Sequence, residues 1–441
     1  MRIIGCLFVI LPVFLFYVFR NKKEDLFSPL NAFTLLFIIK ILISLIGITN
    51  VNRIDEDNGF LYSALTDDSS FLEYCILQSI GYILVLFGIS IALRRTKKID
   101  QSGITISPIL SRSYMFWGIL FFLTGILGFI LIMRKVGGVG YFFSNLHLRR
   151  VLVRDLDFES MLLSFMDKGP MLIIFSKKYS GKKLSIIDFL MILITGLMSG
   201  LGGRKALLML VIECVFIYHY AIRKIQIKNL LKPIYVVIAV LLFFFFSIYS
   251  QFRREGAMEE FLKNPIAFYQ ENSSGDVVET VVGESYVPFY IAIIYYFRDH
   301  DFWLGSSFKG LLTAPIPSSM YPNKPPVDDG MYLYSIAQGR PNIKPTMPAK
   351  SLDGTSWPLE TFGSMYANYG IPGVLIGMFI LGLIIGWSYK KMVKSQFGFL
   401  WLLMYVNVLF TFELSTLRIF QIILLYITLA IVASLAKRMH L

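Results

Sequence analysis

The chain reads as apolar runs separated by short polar connectors, with one long interruption. Runs of 16 to 23 residues with few charges occupy 3–19, 27–48, 71–93, 114–133, 159–176, 185–201, 206–222, 233–250, 371–389, 397–412 and 419–435. Many approach the ~20 residues needed to cross a hydrocarbon core, where only helices satisfy every backbone amide internally. The pattern therefore predicts an all-α polytopic integral membrane protein with about 11 transmembrane helices. Eight precede the interruption (1–250) and three follow it (359–441).

The interruption, 251–358, carries nine Lys/Arg and twelve Asp/Glu, a net of −3. The chain total is +13, so the remainder carries +16. It also holds eleven of the seventeen prolines, including Pro315, Pro317, Pro322, Pro325 and Pro326. Proline fixes φ and biases its predecessor to extended backbone, so 315–326 is expected to be stiff and irregular. Within the loop, 286–297 is apolar but too short to span. It predicts an interfacial or re-entrant helix with tyrosines at the wet boundary.

Composition agrees. Hydrophobic residues make up 56% of the chain and charged residues 16%, with a mean hydropathy of +0.64. Six basic clusters, beginning at Arg20, Arg94, Lys177, Arg223, Lys390 and Lys437, each follow an odd-numbered run. The excess of Lys/Arg on cytoplasmic connectors then places the N-terminus and the 251–358 loop outside. The connector 134–158 resists this assignment, since it is basic yet falls outside. The following run carries Asp167-Lys168 near its middle, an intramembrane charge pair. The basic residues lie in short clusters between spans, which argues against nucleic acid as a partner. Cys6, Cys75 and Cys214 all sit in apolar runs and suggest neither a disulfide frame nor a metal site. No phosphate-loop, serine-hydrolase or zinc-protease motif occurs. Two D-x-D triplets, at 155–157 and 299–301, are too short to argue for a metal, and no cofactor is expected.

The candidate chemistry lies at the outer face. Arg204 follows a Gly-Gly turn, Arg253 and Arg254 open the long loop, and Arg149, Arg150 and Arg154 lie in the resisting connector. Arg298, Lys324 and Arg340 lie in the loop, and Arg418 opens the last run. Arginine offers a planar fork for phosphate oxygens, so an anionic lipid substrate and simple headgroup anchoring both fit. His300, between Asp299 and Asp301, is either a surface turn or a general base.

Three ordered features, Gly202-Gly203-Arg204, the proline run 315–326 and Tyr366-Ala367-Asn368-Tyr369-Gly370-Ile371-Pro372-Gly373, together resemble the Wzy-type O-antigen polymerases. The last is similar to that family's Y-x-N-F-G-x-x-G. Where an acidic residue is expected just before the tyrosine, this chain has Ser364, and the nearest carboxylate is Glu360. The resemblance implies a membrane glycosyltransferase of the bacterial cytoplasmic membrane. It would move a growing glycan from undecaprenyl pyrophosphate onto a new lipid-linked oligosaccharide repeat unit, with its large loop extracytoplasmic. Arg204, Arg253, Arg254, Glu360 and His300 would carry catalysis. Arg149, Arg150, Arg154, Arg298, Lys324, Arg340, Tyr366, Asn368 and Arg418 would bind substrate. Membrane lipids surround such a protein, and a chain-length regulator is a candidate partner. A ligase using the same donor, and a polysaccharide or lipid transporter, are the alternatives.

Overall fold

The computed structural model describes residues 1–20, 25, 27–42, 44–45, 59–94, 107–153, 156–201, 204–225, 256–272, 286–316, 320–352, 355–357 and 360–438. Among these, all regular structure is helical. Ten of the eleven predicted runs fall on described helices, and 233–250 lies outside the described residues. Five helices are long and apolar enough to cross a membrane: Arg2–Phe19, Asp68–Leu93, Pro108–Val136, Thr361–Lys394 and Thr416–Ala436. Others are shorter apolar helices, such as Ile186–Ser199 and Phe399–Phe410. The run 159–176 is not one helix. It divides into Asp157–Ser164 and Lys168–Ser180, with a turn at 165–167 and the charged pair Asp167-Lys168 at the start of the second helix.

The chain forms two compact units. The first comprises Met1–Lys97, Val277–Lys394 and Asn407–Thr428, and the second Lys98–Asp276, Ser395–Val406 and Leu429–Leu441. Packing thus groups most of the polar interruption with the early helices.

The axis of the first unit is the pair Asp68–Leu93 and Thr361–Lys394, parallel and in backbone contact. A Cβ on Gly88 would lie 2.5 Å from the Phe379 carbonyl oxygen, and one on Gly382 would overlap the Val85 carbonyl. Small residues admit such approach, which matters in lipid because apolar burial there gives no driving force and van der Waals packing must hold helices together. Arg2–Phe19 lies along the same helix, with Gly5 against Phe71 and Cys75.

The helix Val287–Tyr296 is buried on all sides, with Tyr290, Ile291, Ala292, Ile293 and Ile294 essentially inaccessible. It packs among Gly59–Thr66, Gly330–Ala337 and the Asp68–Leu93 pair. A helix apolar all round is expected to be covered by other elements. Its tyrosines find protein partners: Tyr290 Oη accepts from the Glu360 amide and Tyr296 Oη from that of Ile343.

In the second unit, Pro108–Val136 packs on Asp157–Ser164 and Lys168–Ser180. Phe129, Ile132, Met133, Val136, Phe142 and Leu163 form one apolar cluster there. Two basic residues in or near connectors have close acidic neighbours, Lys135 with Glu159 at 2.6 Å and Lys177 with Asp188 at 3.3 Å.

Candidate functional site

Thr361–Lys394 is two helices joined at a break. Gly370 has φ 62° and ψ −146°, a backbone region open essentially to glycine alone, and Pro372 removes a further amide. The Tyr-Ala-Asn-Tyr-Gly-Ile-Pro-Gly sequence is this break. The second helix folds back until Gly377 meets the Met365 side chain. Breaking a helix orphans carbonyls, and here the 303–305 turn supplies their donors. Trp303 N donates to Ala367 O at 3.0 Å and Leu304 N to Asn368 O at 2.9 Å.

Asn368 is fully buried and fastens the same turn. Its Nδ2 donates to Ser307 Oγ at 2.9 Å and Ser364 O at 2.8 Å. Thr416 Oγ1 donates to Ser307 O at 3.1 Å, and Thr416 N to Asp329 Oδ2 at 2.8 Å. The loop is thereby bolted to the break and to the start of the last helix. Tyr366 Oη donates to Glu73 Oε1 at 2.8 Å, beside Phe302.

Directly before the first half-helix sits a charged cluster. Lys40 Nζ lies 3.3 Å from Glu360 Oε1 and 3.8 Å from Glu413 Oε1. Thr361 donates from both N and Oγ1 to Glu413 Oε2, at 3.1 and 2.7 Å. Leu414 N in turn donates to Thr361 Oγ1. These bonds fix Glu413 at the N-terminus of the half-helix, where a negative charge suits the helix dipole. Lys40 projects from a short π-turn, Ile38–Leu42, a distortion common at functional sites.

The three groups line a cavity of about 60 Å³ with Gln78, Phe37 and Met378. That is room for a few waters. The Lys40 side chain is 42% exposed, against 19% for Glu360 and 17% for Glu413, so the cluster is reachable from outside. Burial, then the charge of Glu360, pushes the Glu413 carboxyl above the usual carboxylate range; Lys40 and the Thr361 bonds pull the other way. Two carboxylates around one ammonium can take up and release a proton, the requirement for general acid–base work.

The other sequence candidates are placed as follows. Arg298 lies 2.6 Å from Asp67 and donates to Ser69 Oγ at 2.7 Å, bracing the start of Asp68–Leu93. His300 stacks on Tyr296 with ring centroids 3.8 Å apart and is not among the residues lining the charged cavity. Lys324 donates to Ile316 O, and Arg340 to Ser351 O at 3.0 Å. Arg418 donates to Gln421 Oε1 at 2.8 Å, and its charge opposes that of Lys40. Arg149 begins a four-residue helix. Arg154, Arg253 and Arg254 lie outside the described residues, as do the side chains of Arg150 and Arg204.

Of the sequence candidates, Glu360 lies in the charged cluster, and Tyr366 and Asn368 hold the adjacent break. Lys40 and Glu413 were not singled out in the sequence. Their signal was there: Lys40 is the sole charge in 27–48 and Glu413 the sole acid in 397–435. A lone charge in an apolar run is costly and marks a site to explain. Searches against protein-family models, curated proteins and solved structures find no match to this chain.

Proposed function

We propose that this chain is a polytopic glycosyltransferase of the bacterial cytoplasmic membrane that polymerises oligosaccharide repeat units carried on undecaprenyl pyrophosphate. The eleven-span topology, with 251–358 outside, belongs to this proposal and is supported by the six basic clusters. The observation that carries the proposal is the Glu360–Lys40–Glu413 cluster, set against the broken helix formed by the Tyr366–Gly373 motif. The sequence resemblance adds the identity of the reaction.

In the reaction, a hydroxyl oxygen of the acceptor sugar attacks the anomeric carbon of the donor. The bond from that carbon to the pyrophosphate oxygen breaks, and its electron pair leaves with the pyrophosphate. The hydroxyl proton passes to a carboxylate, for which Glu360 is the candidate. Lys40 pairs with Glu360 at 3.3 Å, and Glu413 shares the same ammonium at 3.8 Å. Arg204, Arg253 and Arg254 are the candidates to neutralise charge growing on the leaving group, the interaction that accelerates the chemical step.

The helix break also favours a second reading, transport, because transporters bind substrates at discontinuous helices. Deleting the gene and analysing the lipid-linked glycans separates the readings. A lost polymerase leaves one repeat unit on the lipid at the outer face. Loss of a ligase leaves long lipid-linked chains, and loss of a transporter leaves single units facing the cytoplasm. Glu360→Gln returned to the deletion strain should leave single units, with transfer slowed about 10²- to 10⁴-fold. Normal polymer at normal expression would remove Glu360 from the mechanism.

A further inference from the structure

The pair Asp68–Leu93 and Thr361–Lys394 ends in a second, larger concavity. An open groove of about 620 Å³ lies between the two helix C-termini. Its walls are Ile91, Leu383 and Ile384, and its described lining carries Lys390, Lys391 and Lys394 and no carboxylate. Lys390 Nζ donates to the Ala92 and Arg94 carbonyls at 3.2 and 3.3 Å, so it is pinned over the end of the neighbouring helix. Cations there are favoured by the helix dipole. Lys391 Nζ lies 5.5 Å from the centroid of the Trp387 ring, which is 47% exposed. The groove shares no lining residue with the cavity of the Glu360 cluster, which borders the same helix at Met378, Leu381 and Ile385.

We propose that this groove binds an acidic phospholipid of the surrounding bilayer, with the phosphate among the three lysines and an acyl chain along Ile91, Leu383 and Ile384. Three physical features converge on that occupant. The flanking helices are of membrane-spanning length and composition, so the groove's apolar walls face hydrocarbon. Tryptophan is enriched at the headgroup level, which locates Trp387 and its lysine neighbours at the interface. Basic pockets between helices at that level recognise anionic headgroups, and the volume is of the size usual for ligand sites, about 300–1,000 Å³. A water-soluble acidic peptide or nucleic acid would gain nothing from the aliphatic walls.

The test uses the full chain in phosphatidylcholine vesicles containing graded amounts of phosphatidylglycerol, with bromine-labelled acyl chains on one lipid or the other. Bromine quenches nearby tryptophan, and the difference from Trp387→Phe isolates the groove. Labelled phosphatidylglycerol should quench Trp387 in preference to labelled phosphatidylcholine. Each Lys→Gln change should lower that preference about five-fold, and Lys390→Gln/Lys391→Gln/Lys394→Gln should bring it close to parity. Lys182→Gln/Lys183→Gln, the same chemical change away from the groove, should leave it intact. The proposal is overturned if the two lipids quench equally, if the triple variant keeps the preference, or if the control loses it too. Loss of the preference in excess inorganic phosphate would also overturn it, by marking a soluble-anion site. Should the triple variant fail to fold, Lys391→Gln and Lys394→Gln singly carry the same comparison.

Discussion

Asp329 carries the most quantitative expectation. It is 1% exposed, and its Oδ2 accepts the first free amide of the last helix, from Thr416. Its Oδ1 is buried with no hydrogen-bond partner among the described residues. Burial pushes this carboxyl from the usual 3.8 up to about 7, against the opposing bonds from Thr416. A folded-state value above the unfolded one means the folded protein holds the proton more tightly. The contribution to stability is therefore full below 3.8 and is lost as pH rises through about 7. At 1.36 kcal/mol per pH unit that loss amounts to about 4 kcal/mol. Asp329→Asn keeps an oxygen for the Thr416 amide and cannot ionise. Unfolding free energies of wild type and Asp329→Asn in mixed micelles, measured across the window, should diverge by that amount in favour of the variant at the upper end. Asp329→Ala, which removes the cap, should instead lose about 1 kcal/mol at every pH. If the difference between wild type and Asp329→Asn is flat across the window, the carboxyl is not buried as described, and the anchoring of the loop to the last helix must be redrawn.

Other expectations follow from the break and its surroundings. Gly370→Ala forces a side chain into φ 62° and within 2.8 Å of Phe302 Cζ, so it should lower stability by about 2–4 kcal/mol in the same unfolding assay; Phe302→Ala should relieve the steric part and leave the backbone part. A change within experimental error would mean that the helix does not break at this residue. Arg298→Gln should cost no more than about 1 kcal/mol, because the Arg298–Asp67 pair is 33% and 27% exposed; a larger loss of stability would contradict a bracing role at a wet surface. Lys40→Gln leaves Glu360 and Glu413 facing each other without their shared cation, so the pH below which polymer formation fails should move upward; an unshifted pH profile would separate Lys40 from catalysis. Arg204→Ala should reduce polymer with single repeat units accumulating, and Lys at that position should rescue partly, since it lacks the fork. Full activity of Arg204→Ala would move the search to Arg418.

The helical, apolar character of this protein was decided by the sequence alone, because the need to satisfy backbone amides in hydrocarbon leaves a long apolar run one solution. The runs 3–19, 71–93 and 114–133 became helices extended by only a few residues. The Tyr366–Gly373 turn was legible too, since glycine and proline at that spacing cannot continue a helix. Pairing was not legible, because nothing local tells Glu360 that its partners are 320 residues upstream and 53 residues downstream, at Lys40 and Glu413. Those contacts depend on how Gly88 and Gly382 let two helices touch and on how the 303–305 turn reclaims the carbonyls of a broken helix. The same dependence gave Asn368, Arg298 and Tyr290 of the 286–297 run their hydrogen-bond partners. A charge or an amide announces that it needs a partner; only the tertiary structure says which one it found.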